Sequence, residues 1–110
     1  FSDAVLVGDT LYLSGNGGID VTDMSIPEDP REEEKLLMEN FMKSLALADM
    51  TLDDLGSVSV YGPDLLLYSD FNDVYRSYFK KDFPARSFVG SGPLLFGMRF
   101  EMQGIAVKSP

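Results

Sequence analysis

Short apolar runs, helical spacing and two-residue alternation follow one another along the chain and divide it into seven elements. Ala4 to Val7 and Leu11 to Leu13 are apolar runs separated by Gly8-Asp9, the pattern of two strands joined by a tight turn. Ser14-Gly15-Asn16-Gly17-Gly18 then predicts a loop that continues to about Asp29. Two readings of its glycines stand: a plain turn, or a loop whose backbone amides face a ligand. Asp29-Pro30 followed by Glu32, Glu33 and Glu34 is a helix start, because Asp caps, Pro suits the first helical position and acids favour the positive end of the helix dipole. Leu37, Phe41, Leu45 and Ala48 recur at helical spacing after it, so one amphipathic helix is expected over about Pro30 to Asp49.

Thr51-Leu52-Asp53-Asp54 reads as a short helical turn, and Ser57 to Tyr61 alternates in polarity as a half-buried strand does, ending at Gly62-Pro63. A second helix is expected from a Ser69 cap through Phe71, Val74, Tyr75 and Tyr78 to about Lys80, where Phe83-Pro84 prevents its continuation. A strand follows near Arg86 to Ser91, then a Gly92-Pro93 turn, then a long strand from about Met98 to Val107. Along that last strand Phe100, Met102, Gly104 and Ala106 share one face, and Arg99, Glu101, Gln103, Ile105 and Val107 the other. The order β-β-α-β-α-β-β predicts an α+β two-layer sandwich, a mixed sheet with both helices on one side. The first two strands are apolar on both faces, so the uncovered face is expected to meet further copies of the chain.

Composition narrows the chemistry. A chain of 110 residues supports one modest core, and a single domain is expected. There is no Cys and no His, which removes thiolate nucleophiles, imidazole bases and the usual zinc ligands. No run is long enough to span a membrane and the N-terminus lacks a signal-peptide pattern, so a cytoplasmic protein is expected. The net charge of -9 argues against nucleic-acid backbone binding. Residues 1 to 74 carry 3 basic and 16 acidic side chains, whereas residues 75 to 110 carry 6 and 2, so an anionic ligand would bind the C-terminal third. The glutamates at 32 to 34 have a sufficient explanation as helix-start acids and point in different directions, which argues against a metal site.

The segments resemble the YjgF/Rid family of reactive-intermediate deaminases, formerly described as endoribonuclease L-PSP proteins. The resemblance runs from end to end and is carried by Val7-Gly8-Asp9-Thr10-Leu11-Tyr12-Leu13-Ser14-Gly15, by Phe71-Asn72-Asp73-Val74-Tyr75 with Tyr78-Phe79, by Phe83-Pro84-Ala85-Arg86-Ser87, and by Phe100-Glu101 with Gly104-Ile105-Ala106-Val107. It implies a chorismate-mutase-like fold assembled as a homotrimer, with a site at each subunit interface. It also implies hydrolysis of enamine and imine acids such as 2-aminoacrylate to 2-oxo acids and ammonia, the activity of a 2-iminobutanoate/2-iminopropanoate deaminase, with no metal or organic cofactor. Arg86 matches the family's ligand-binding Arg, whose planar fork suits a substrate carboxylate. Glu101 matches the site Glu that handles water and protons.

Ser14 and Gly15 would offer polar backbone near the substrate nitrogen or water, and Asn72 would order the loop nearby, line the site, or stabilise its helix. Phe1 aligns with an aromatic, often Tyr, that closes the pocket across the interface. The chain departs from the family at Asn16, where Gln is common, at Phe88, where a small residue or Cys is common, at Gln103, where many members have Glu, and at Gly92-Pro93, where many have Leu-Pro. These positions bear on substrate identity more than on fold. The family usually has further residues before the position of Phe1, including a strand or extended arm, and such a segment is expected here. The alternative function is a non-catalytic homologue, binding a small carboxylate in the same cleft or acting as a chaperone-like trimer. A nuclease is disfavoured by the acidic charge and the absence of His.

Overall fold

Two helices pack on one face of a five-stranded mixed sheet in the structure, a computed structural model that describes residues 2–109. Strands β1 (Ala4–Val7) and β2 (Thr10–Gly17) form a hairpin whose turn holds Gly8 at φ 59°. Helix α1 (Pro30–Ala46), β3 (Leu55–Gly62), α2 (Tyr68–Ser77), β4 (Ala85–Gly90) and β5 (Glu101–Val107) follow. The spatial order is β1-β2-β5-β3-β4, antiparallel throughout except for β3 and β4, which run parallel with α2 as their crossover. The core lies between the layers, where Leu37, Phe41 and Leu45 of α1 and Phe71 and Tyr75 of α2 meet Leu11, Val58, Val60, Met102 and Ala106 of the sheet. On the other face Val5, Tyr12 and Ile105, consecutive across β1, β2 and β5, are 50%, 49% and 39% exposed. No helix among the described residues is long and apolar enough to cross a membrane.

Several expected boundaries move, each for an identifiable physical reason. The glycine-rich segment is largely strand: β2 continues to Gly17 through an irregularity between Leu13 and Asn16, because Asn16 and Gly17 still pair with Met102 and Glu101. Gly17 tolerates the approach of Met98, whose sulfur would stand 2.1 Å from an added Cβ. Helix α1 stops at Ala46 although Ala48 continues its spacing, since Asp49 adopts φ 56° and the Met50 N–H closes back on the Leu45 carbonyl at 3.0 Å. Ser69 is not the cap of α2. Asp64 accepts from the Leu66 N–H at 3.0 Å and caps a short 3-10 turn, Leu65–Leu67, that runs straight into α2, which ends at Ser77. Thr51 and Asp54 form a reciprocal capping box around the turn Leu52–Asp54, as the sequence implies.

Strand β5 begins at Glu101, later than its hydrophobic pattern suggests, and Arg99 turns toward the helices instead of sharing the face of Glu101. The cause is Glu33, fully buried in the first turn of α1. Its carboxylate accepts from the Arg99 N–H and from Nη1, each at 2.7 Å, while the same guanidinium donates to the carbonyls of Pro27 and Glu28. One ion pair thereby joins the start of α1, the loop before it and the entry to β5.

Candidate active site

Strand β4 is a sheet edge, and alternation along it decides which way its side chains go. Arg86 and Phe88 stand opposite Val58 and Val60, both buried beneath the helices, so Arg86 faces α2. Its guanidinium lies 4.8 Å from the centre of the Tyr75 ring and 5.7, 5.8 and 5.7 Å from the rings of Tyr68, Phe71 and Phe88. A delocalised, weakly hydrated cation among ring faces is a favourable arrangement. Asn72, one turn into α2, accepts from Arg86 Nη2 at 2.8 Å, and the Tyr68 hydroxyl accepts from the same nitrogen at 3.4 Å. Asn72 thus both contacts the Arg86 guanidinium and lines the pocket onto which it opens. Among the described residues no carboxylate lies within ion-pair distance of Arg86.

The guanidinium opens onto a pocket of about 300 Å³ lined by Tyr68, Asn72, Tyr75, Arg76, Phe83 and Arg86. Phe88 does not line it. The ring instead packs edge-on against Tyr68 and Phe71, at 5.0 and 5.3 Å, and forms one wall of the aromatic enclosure around the cation. The hydrogen bond with Asn72, and next the charge of Arg86, hold the Tyr68 phenol below its ordinary pKa.

Glu101 lies elsewhere. Met102 beside it points into the core, so Glu101 takes the open face of the sheet, level with Tyr61 on β3 and Gly17 on β2. Its carboxylate packs over Gly15, where an added Cβ would stand 3.0 Å from both Cδ and Oε2. It borders a hollow of about 580 Å³ shared with Gly15, Asn16, Phe96 and Met98. Ser14 is occupied with the N-terminal segment, its hydroxyl donating to the Ser2 carbonyl and its N–H to that of Asp3. Phe1 lies outside the described residues. One chain thus brings Arg86, Asn72 and Phe88 together on the helix side and Gly15 and Glu101 together on the open side, and does not unite the two groups.

The first turn of α1 contains a group that the capping argument overlooks. Glu33 and Glu34 are both fully buried, whereas Glu32 stays at the surface near Lys35. Glu33 has Arg99, but both carboxyl oxygens of Glu34 lack a hydrogen-bond partner, as does the buried hydroxyl of Tyr75. Burial pushes the Glu34 carboxyl up to about 9, with Arg86 opposing and Glu33 adding, and pushes Tyr75 up to about 12. The signal was present in the spacing: Glu34 precedes Leu37, Met38, Phe41 and Leu45 by three, four, seven and eleven residues, on the buried stripe.

An arginine presented by the Pro-Ala-Arg-Ser strand and a glutamate packed over Ser-Gly coincide with a match of residues 1–108 to the endoribonuclease L-PSP family model. The chain belongs to this family. A bovine member named 2-iminobutanoate/2-iminopropanoate deaminase is 35% identical over 111 aligned positions, covering 100% of this chain and 81% of its own length. The human protein of the same name is 31% identical over the same span. Among solved family structures, RidA from the Antarctic bacterium Psychrobacter superposes with a TM-score of 0.94 at 29% identity, covering 98% of this chain and 88% of that one. TdcF from E. coli with bound serine gives 0.95 at 26% identity, with 99% and 88% covered.

Proposed function

We propose that the chain hydrolyses 2-imino and 2-enamino acids to 2-oxo acids and ammonia, a reading supported by its bovine and human relatives, which are named 2-iminobutanoate/2-iminopropanoate deaminase. The observation that carries the reading is the guanidinium of Arg86, without an ion-pair partner among the described residues and opening onto a pocket. Arg86 holds the substrate carboxylate, and Asn72 fixes the fork that does so. The imine carbon is already electrophilic, so the remaining task is to position water and move protons. An enamine first gains a proton at C3 and loses one from nitrogen to become the imine. Water oxygen then bonds to C2 as the C=N π pair moves to nitrogen, which takes one of the water's protons and gives a carbinolamine. The remaining hydroxyl proton passes to nitrogen as the C2–N bond breaks, the C2=O bond forms and ammonia leaves. Glu101 orients the water and transfers its protons to nitrogen, and polar backbone beside Gly15 receives the nitrogen or the water.

In this reading Glu101 and Gly15 come from a neighbouring copy. The exposed row of Val5, Tyr12 and Ile105 is then covered by further copies in a homotrimer, and each site lies where the Arg86 half of one subunit meets the Glu101 half of the next. The test generates 2-aminoacrylate in situ with a serine-eliminating enzyme and follows pyruvate release. Wild-type protein is expected to accelerate release, Arg86→Ala to abolish the acceleration by raising KM, and Glu101→Gln to abolish it through kcat. Equal rates with and without a folded wild-type assembly would overturn the assignment and leave carboxylate binding without turnover.

A further inference from the structure

The stripe of α1 that meets α2 and the sheet is apolar at Leu37, Met38, Phe41 and Leu45, yet it opens with Glu34. An alkyl side chain would be buried there at lower cost than a carboxyl with no hydrogen bond. Its surroundings show what the carboxyl faces. From α1 itself comes the charge of Glu33, anchored by Arg99; from β4 the guanidinium of Arg86; from α2 the phenols of Tyr75 and Tyr78. Among the described residues Arg86 is the cation whose charge acts on Glu34; the Tyr75 ring lies 4.8 Å from its guanidinium, and the buried Tyr75 hydroxyl, like both Glu34 oxygens, has no hydrogen-bond partner.

We propose that Glu34 is a positioning residue for Arg86: protonated, it leaves the guanidinium charge to the bound carboxylate, and ionised, it draws that charge away. The proposal rests on Arg86 holding the carboxylate of a 2-imino acid, as set out above. Its chemistry is a competition between two anions for one cation across a layer of low polarity, where charges act strongly on each other. With the Glu34 pKa near 9, the carboxyl is neutral at pH 7 and Arg86 is free for substrate. Raising the pH through that value creates an internal carboxylate that competes with the substrate. Linkage makes the effect reciprocal: a carboxylate bound to Arg86 disfavours ionisation of Glu34, so binding near pH 9 draws a proton from solution.

The probe is 2-oxobutanoate, which presents the carboxylate without turnover, titrated calorimetrically at pH 7 and pH 10 with the assembled protein. Tyr68 also reaches Arg86 and ionises in the same direction, so every chain compared carries Tyr68→Phe. In that background binding is expected to weaken roughly tenfold between the two pH values, the scale of one opposing charge at partial burial. At pH 9 the heat is expected to vary with the ionisation enthalpy of the buffer, reporting proton uptake. Adding Glu34→Gln should leave the affinity at pH 7 within about twofold and remove both the weakening and the uptake. Should that variant fail to fold, Glu34→Met carries the same comparison. Weakening and uptake that persist without the carboxyl would overturn the proposal, as would their absence in the Tyr68→Phe parent. Arg86→Ala separates the two failures. If it binds 2-oxobutanoate as tightly as its parent, the reading of Arg86 falls and the proposal with it; if binding is lost but no pH effect depends on Glu34, the proposal alone falls.

Discussion

Asn72 accepts a 2.8 Å hydrogen bond from Arg86 Nη2, tying an amide on α2 to a cation on the edge strand β4. Hydrogen bonds to charged groups contribute about 1.5–3 kcal/mol, so Asn72→Ala should raise KM for a carboxylate substrate by about tenfold or more. Steady-state kinetics should show kcat within about twofold of wild type, because in the proposed function the chemical step does not run through this amide. A fall in kcat at unchanged KM would contradict the role.

The separation of Arg86 and Glu101 on opposite faces of the sheet predicts complementation between two inactive chains. Arg86→Ala and Glu101→Ala proteins, unfolded together and refolded as a mixture, should regain about a quarter of wild-type activity, since random mixing pairs an intact half with an intact half at that frequency in a closed ring. Each variant refolded alone should stay inactive. No recovery from well-folded mixed assemblies would place both groups of one site on a single chain.

Gly15→Ala tests the glutamate without touching it. The new methyl would stand 3.0 Å from the Glu101 carboxyl carbon and would push the side chain away from its present position. Turnover should fall by an order of magnitude or more with little change in KM, and the melting temperature should change little, because Glu101 borders an open hollow into which it can move.

Stability should depend most on the pair Glu33 and Arg99, because the carboxylate is fully buried and accepts two hydrogen bonds from one residue. Arg99→Met leaves that carboxylate without a counter-charge, and removing one partner of a buried pair costs about 3–5 kcal/mol. Urea unfolding should show the loss, and Arg31→Met, which removes an exposed pair with Asp70, should change stability by less than about 1 kcal/mol.

Glu34 gives the stability curve a slope of definite sign. Its ordinary pKa of 4.5 rises to about 9 on folding, so between those values the unfolded chain has lost a proton that the folded chain retains. The contribution of this group to stability therefore falls as pH rises across the window and is constant outside it. The melting temperature of Glu34→Gln relative to wild type should be more favourable at pH 8.5 than at pH 5, read by calorimetry at both values. A difference that does not change with pH would place the Glu34 carboxyl in water.

The elements of the fold were legible because their signals are local: the Gly8-Asp9 turn, Asp29-Pro30, the α1 stripe and the alternation of Ser57 to Tyr61 each need only neighbours in sequence. Ends depended on distant partners and were harder to read. Arg99 follows the polar alternation of β5, and only the buried Glu33, 66 residues away in sequence, explains why it turns back. Arg86, Asn72 and Glu101 were found through motif resemblance, since their residue types alone have many surface uses. Glu34 is hard to read in the sequence because an acid at a helix start already has an explanation, although its place three residues before Leu37 puts it on the buried helical phase.

The rings around Arg86 have a consequence of their own. As an edge strand, β4 pairs only with β3 among the described residues, so much of the orientation of the guanidinium comes from the surfaces of Tyr68, Phe71, Tyr75 and Phe88. Of these, Phe71 belongs to the hydrophobic core, where it also touches Phe100. If Arg86 holds a small acid as proposed, its grip is thus adjustable from inside: trimming or adding a methylene behind those rings would tilt the fork. Selectivity in this chain can drift by repacking, with every polar contact left in place.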